Sequence, residues 1–526
     1  MIFSYFSRYK YRYRIRQVSK KWLMAAKISN FVIGYFLKAE IAQIAKSFSM
    51  YTNLLGLKFA KDCEEFLRTS YLKPISIITN LSSLTIVTQQ LYDREDPRFI
   101  SVLTNLEYLN IPRASKNTIE PLTKLRYLNI HLHPTDGQES KLNSVYLPFL
   151  ESATIHGINY EHCPSFTEST RLTHLTLREV TSLQPNYLDL HSNLKELAVA
   201  GGTHPISLDF KLPNLESLIA TFIGVDDWSS LQKLTRLEMT QAEVPTNHTN
   251  FRGISLLTNL QQLLLFGVQR SNEEMDLSPL TKLSSIFLHK LDVPVSYAKI
   301  LERITTDKFT ELYLNVTKDD MECISKFGNL TFLSLAGDAQ MMGHTDCDIS
   351  MLTTLTNLEA LQLEKFNSLN MEGISKLGKL TYLHLMYNTH IQSCSELKSL
   401  PHLAIMQVSE SPIDSRGITL LNNLYVHTLE WTYNSSDLVG LTSLIAPYLD
   451  KDILQDILTW TALETLRIPG IFENAPERIQ QLTALKNLKT LELYQTSWHD
   501  SFSVLTQLHW ISPQRKFLKT ITICGN

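Results

Sequence analysis

The residues best suited to chemistry in this 526-residue chain are aromatic, imidazole and guanidinium groups that recur at related spacings rather than in compact motifs. One set comprises Tyr108, Tyr127, His131, His156, His174 and Arg178. Tyrosine and arginine are favoured anchors for protein partners, because each offers a large contact area with a polar end. Three imidazoles titrate near neutral pH and could make such a surface pH-sensitive. They could also ligate a metal, but no carboxylate is visible in the pattern to support one, and no metal site is expected. A second set, Leu264, Phe266, Phe287, His289, Tyr313 and Phe332, is mainly apolar. Facing solvent, it would form a patch of the kind that monomers avoid unless it is used.

Catalytic motifs are absent from the sequence. There is no phosphate-cradling Gly loop, no His-Glu-x-x-His and no Gly-x-Ser-x-Gly. The adjacent acids Asp226-Asp227, Asp319-Asp320 and Asp346-Cys347-Asp348 read as solvated turns or helix caps rather than as acid–base pairs. No catalytic residue and no cofactor is therefore expected, and the function class is binding. Six cysteines are too few for a disulfide scaffold and fit a reducing compartment.

These residues need a frame, and a repeat supplies it. Leu-x-x-Leu-x-Leu, with other apolar residues substituting, recurs along almost the whole chain. Clear copies include Leu106-Leu109-Ile111, Leu125-Leu128-Ile130, Leu172-Leu175-Leu177, Leu260-Leu263-Leu265, Leu330-Leu333-Leu335 and Leu380-Leu383-Leu385. Looser copies start at Leu54, Leu81, Leu283, Phe309, Leu403, Val426 and Leu518, among others. About 21 anchors at a mean spacing of about 23 residues result, inside the 20–29 range of one repeat class. Residues three and five after each anchor share one face of a strand and are expected in the core. Those at two, four and six face the other way. Both candidate sets fall on these even offsets. A further leucine often stands three residues before the anchor, as at Leu103, Leu122, Leu257 and Leu377, and closes the core from the connector side.

The pattern resembles the leucine-rich repeat over roughly residues 50–526. The resemblance implies an α/β solenoid with a curved parallel sheet, a helical or irregular convex side and a small helical N-terminal segment. The candidate sets then lie on the concave face, where a protein substrate would bind. Phe266, Phe287, Tyr313 and Phe332 are expected to be partly exposed and within reach of one another. One departure stands out. The family places Asn eight residues after the anchor, and here that holds at Asn388, Asn434 and Asn526 but not at Ala114, Val180 or Phe366.

Residues 1–49 differ in character. Residues 1–39 hold nine Lys or Arg and no acid, against a net charge of −3 for the whole chain. Ile2-Phe3-Ser4-Tyr5-Phe6, followed by Arg14, Val18 and Trp22, resembles the second half of an F-box, the helical unit that docks on the adaptor of a cullin-RING ubiquitin ligase. The resemblance implies a truncated F-box, helical over 12–26, with Ile2, Phe3, Tyr5, Val18 and Trp22 as adaptor contacts, joined to a substrate-holding solenoid. The alternative is an interaction scaffold or peptide sensor with no ubiquitin role. A cytoplasmic location is expected. A nuclear location is a variant of it, and the Arg-rich start is also the composition of a mitochondrial presequence. The apolar run from Ile28 to Leu37 is too short to span a bilayer, so no membrane partner is expected. The acidic body argues against nucleic acid.

Overall fold

The computed structural model describes, between residues 30 and 525, the strands and the turns that join them. Outside it lie residues 1–29, residue 526, the longer connectors (34–55, 60–71, 87–96, 132–144, 158–165, 241–250, 268–274, 410–422, 427–439, 446–456, 469–481 and 496–519) and shorter stretches of other connectors. The expected adaptor contacts Ile2, Phe3, Tyr5, Val18 and Trp22, and the helix expected over 12–26, fall outside the described residues.

The chain divides into two compact units, residues 1–260 with 267–273 and residues 261–266 with 274–526. In the first, parallel strands follow one another in chain order from Asn30–Ile33 and Gly56–Phe59 to Ser217–Thr221 and Arg236–Thr240. In the second, they run from Gln262–Phe266 and Ser285–His289 to Thr490–Gln495 and Thr520–Gly525. Every pairing among the described residues is parallel. Each unit is thus a leucine-rich-repeat solenoid, one strand per repeat.

The register follows from the leucines. Leu109, Leu128, Ala153, Leu175, Leu197, Leu218 and Leu237 form one row, three residues after their anchors, and all are buried. Leu263, Leu333, Leu383 and Leu491 are buried in the same way in the second unit. A row of leucines excludes water only when flanked by the rows above and below, so the strands stack rather than fold singly.

Connectors are tight turns with a fixed rhythm. The anchor amide donates to the carbonyl three residues earlier, and that residue's amide donates three residues earlier again. Leu106 bonds Leu103 at 3.0 Å and Leu103 bonds Ile100 at 2.9 Å; Leu358, Leu355 and Leu352 repeat this at 3.0 and 2.9 Å. This is 3₁₀ geometry, which suits apolar residues at every third position. One carbonyl in each repeat then accepts two amides of the next, as Ser82 does from Glu107 at 2.7 Å and Tyr108 at 3.0 Å.

Side chains reinforce the backbone at two further positions. Asparagine immediately before the anchor donates to a carbonyl of the preceding repeat: Asn105 to Thr79, Asn193 to Thr170, Asn214 to Ser192, Asn259 to Gln232, Asn357 to Gly328 and Asn487 to Thr461. Threonine or serine just after it does likewise, as Thr235 Oγ1 does to the Glu216 carbonyl at 2.9 Å. The expected ladder position, eight after the anchor, is filled by Asn388. It is fully buried, accepts from the Phe366 amide at 3.0 Å and donates to the Leu363 carbonyl at 2.9 Å.

Two expectations are corrected. Small parallel sheets separate from the main ladder form within the connectors: Ile206–Leu208 with Ile223–Val225, and Asp346–Asp348 with Ser368–Asn370 and His390–Ile391. Asp346-Cys347-Asp348 is therefore strand, not turn. The anchor read at Val426 is five residues late. Leu424 pairs with Met406 and Val426 with Val408, the positions three and five after the Leu403 anchor. Both registers satisfy the leucine pattern locally, and only the ladder separates them. A strand at Asn30–Ile33 also pairs with Gly56–Phe59, Phe31 opposite Leu57.

Candidate interaction surface

Even-offset residues make rows along the open face of each unit's sheet. In the second unit Leu264, Phe287, Tyr313 and Ser334 are direct neighbours on successive strands, in the row four after the anchor. Phe266 is opposite His289 in the next row. The rings of Phe287 and Tyr313 stack with centroids 4.1 Å apart, and those of Phe266 and His289 stack at 4.8 Å. His289 also meets Phe287 at 6.1 Å and Tyr313 edge-on at 5.7 Å. Four aromatic groups from three repeats therefore form one contiguous cluster.

Exposure within the cluster is uneven. Phe266, Phe287 and Tyr313 are half-buried. His289, expected on the surface, is instead buried at 7% exposure. Phe266, Phe287 and Tyr313 close over it, so stacking has turned a surface position into a small second core. Phe332 is half-buried too but stands in the row two after the anchor, between Glu311 and Ala360. It borders the cluster rather than completing it. Burial raises the Tyr313 hydroxyl above its ordinary pKa, the Glu364 carboxylate adds to this, and a hydrogen bond with Ser334 works against it. The phenol is neutral at physiological pH, available as a hydrogen-bond donor.

The first unit places the other set in two rows. Tyr108, Tyr127, Ser152, His174 and Glu196 are neighbours in one. Tyr108 and Tyr127 are 37% and 41% exposed, with ring centroids 6.2 Å apart. The Arg126 guanidinium sits 5.8 Å from the Tyr127 ring and grips Glu151 through two hydrogen bonds of 3.0 and 2.9 Å. That pairing raises Arg126 and lowers Glu151 from their usual pKa values. His174 is engaged within its own row, 2.8 Å from Thr173 Oγ1 and 3.4 Å from Glu196 Oε1. His131, His156 and Arg178 make a separate row four residues further along, where the two imidazoles stack at 4.8 Å. The three histidines thus do not form one group.

Glu179 joins His131 and His156 instead, its Oε2 3.7 Å from His131 Nε2. Seven residues after the anchor is an odd offset, and parity assigns it to the core. The backbone overrides parity there. Glu179 has φ 55° beside a β-bulge between Leu177 and Val180, and this left-handed turn swings its side chain onto the open face.

No protein-family model matches the chain, and no curated protein matches it. Solved structures of similar architecture exist. A leucine-rich-repeat protein of Leptospira interrogans is 18% identical over 78% of this chain and 100% of its own, with a TM-score of 0.44. An internalin of Listeria monocytogenes is 15% identical over 65% of this chain and 87% of its own, at 0.35. The ectodomain of the Arabidopsis receptor kinase HAESA, in complex with an IDA peptide hormone, is 16% identical over 86% of this chain and 76% of its own, at 0.37. The fold assignment here rests on the parallel ladder and the repeat spacing rather than on these likenesses. Among the described residues no helix is long and apolar enough to cross a membrane.

Proposed function

We propose that this chain is a protein-binding leucine-rich-repeat solenoid whose second unit holds a partner segment against Phe266, Phe287 and Tyr313. The observation that carries the reading is the stacked, half-exposed pair Phe287 and Tyr313. Two rings stacked from neighbouring strands lose little freedom on binding, and each stays half-exposed. Such rigid aromatic anchors supply most of the energy in many interfaces. A partner with apolar side chains in an extended segment would stack on them, with the neutral Tyr313 hydroxyl reading one polar group.

Replacing Phe287 and Tyr313 together by Ala tests this. Binding of a captured partner should fall by about 2 kcal/mol or more. The melting temperature should move by only a few degrees, because the rings lie outside the leucine rows. A large loss of stability with binding intact would mean that the cluster is structural and the reading wrong.

Within this reading, the resemblance of residues 2–22 to part of an F-box supports a finer proposal: a ubiquitin-ligase substrate receptor in the cytoplasm, with an adaptor on the head. A pull-down with the adaptor decides it. Failure to bind, both by this chain and by a version extended upstream, would leave the plain receptor.

A further inference from the structure

We propose that His131, His156 and Glu179 form a site for one divalent transition metal of the zinc class, on the open face of the first unit. Their ligand atoms all lie within 4.8 Å of one another. A tetrahedral ion with bonds of about 2.0–2.1 Å holds its ligand atoms about 3.3 Å apart. Closure by roughly 1.5 Å is therefore enough.

The backbone already sets the three residues in place. His131 and His156 are direct neighbours in the ladder, and the strand His174–Val180 follows with its bulge. The bulge is what brings the carboxylate in. At φ 55° Glu179 leaves the core side and reaches across two strands to His131. The Gly157 amide donates to the Arg178 carbonyl at 3.0 Å and pins the strand end from which Glu179 departs. The remaining motion belongs to side chains. The imidazoles stack with a 20° angle between planes, so one ring must turn to aim its nitrogen at the ion. The His131 and Glu179 side chains are 41% and 62% exposed and have room to move.

The donor set selects the metal. Two imidazoles and one carboxylate suit Zn²⁺, Co²⁺ or Ni²⁺, whereas Mg²⁺ and Ca²⁺ want oxygens alone. Three protein ligands leave a fourth position for water or for a side chain of a partner. Arg178 opposes the site. It is the ladder neighbour of His156, and its charge repels a cation. Removing that charge should therefore tighten binding.

The test uses the full chain without a polyhistidine tag, stripped with chelator and titrated with Zn²⁺ by calorimetry and with Co²⁺ by visible absorption. One equivalent should bind with a dissociation constant of about 10 μM or tighter, and Co²⁺ should show the intense ligand-field bands of a tetrahedral complex. His156→Ala and Glu179→Gln should each weaken binding at least tenfold, His174→Ala should leave it unchanged, and Arg178→Gln should strengthen it. Circular dichroism confirms that each variant is folded, and Glu179→Gln keeps the shape of the bulge residue while removing a strong ligand. The proposal is overturned by the absence of stoichiometric binding. It is equally overturned if Glu179→Gln and His156→Ala bind like the parent, or if His174→Ala weakens binding as much as they do.

Discussion

Replacing Asn388 by Val should cost the second unit far more than removing any of the asparagines that precede an anchor. Asn388 makes two hydrogen bonds to the preceding repeat, to the Phe366 amide and the Leu363 carbonyl, and it is fully buried with Phe366 beside it. Valine is apolar, not far from asparagine in size, and occurs at this position as Val180, which is also fully buried. The position therefore accepts a side chain of this size. What changes is that a buried amide and a buried carbonyl lose their partner together. Each such group costs about 1–3 kcal/mol when left unmade, and added apolar burial returns about 1–2, so the net loss is roughly 1–4 kcal/mol.

Asn357 makes a bond of the same kind, 3.0 Å to the Gly328 carbonyl, but at the surface. Water replaces it there, and Asn357→Ala should cost no more than about 1 kcal/mol. Urea denaturation reports the total. Hydrogen exchange at the Phe366 amide reports the site itself, which matters because long repeat arrays need not unfold in one step. The Phe366 amide should lose protection in Asn388→Val and keep it in Asn357→Ala. If Asn388→Val stays within about 0.5 kcal/mol of the parent, or Asn357→Ala costs as much, burial is not what makes this ladder position matter.

Two further outcomes follow from the same packing. Burial between Phe166 and Tyr187 lowers the His191 pKa to about 4 from 6.5, so the unfolded chain binds the extra proton first as pH falls. Stability from this residue is complete above pH 6.5 and drains between 6.5 and 4, by roughly 3 kcal/mol in total; His191→Leu should flatten that part of the urea-midpoint profile, and an unchanged slope would refute the assignment. Gly337 and Gly378 should respond oppositely to alanine. A Cβ at Gly337 would overlap the Lys365 carbonyl oxygen, whereas nothing lies within 4 Å of one at Gly378. Thermal melts should show Gly337→Ala clearly destabilised and Gly378→Ala within about 0.5 kcal/mol of the parent or above it.

The ladder was legible in the sequence because its cause is local. A leucine three and five residues after an anchor must share a face, whatever the rest of the chain does, and Leu109, Leu263 and Leu383 are buried accordingly. Register was less secure where the pattern fits twice. Leu421-Leu424-Val426 and Val426-Leu429-Trp431 are equally apolar, and only pairing with Met406 and Val408 decides between them. The asparagine ladder was read correctly at Asn388, but its surface counterpart before the anchor was missed. Asn-Leu recurs at Asn105, Asn193, Asn214, Asn259, Asn357 and Asn487, each time with the leucine as anchor. An amide one residue before the turn reaches the previous turn's carbonyl at the surface, so it supplies the inter-repeat bond without the buried site that Asn388 needs.

Parity explains both what was readable in the candidate sites and what was not. Inside a strand side chains alternate, so Phe266, Phe287 and Tyr313 could be assigned to the open face from their offsets alone. Parity says nothing about neighbours, and the closing of three rings over His289 depends on rotamers that no spacing encodes. At the end of the strand alternation itself stops. Position seven has positive φ at Glu179, Lys365 and Tyr387, at 55°, 59° and 55°, and also at Gly157 and Gly267. A residue in that conformation continues on the same side as the one before it. Lys365 Nζ accordingly lies 5.8 Å from the Tyr387 ring, one repeat on, and Glu179 meets His131. The signal was present as glycine in two of these five positions, since glycine is the residue that adopts positive φ without cost. Read as a mark of left-handed backbone, those glycines point to position seven as a place where a side chain can join the even rows, as Glu179 and Lys365 do, whereas Val316, at the same offset without positive φ, stays buried.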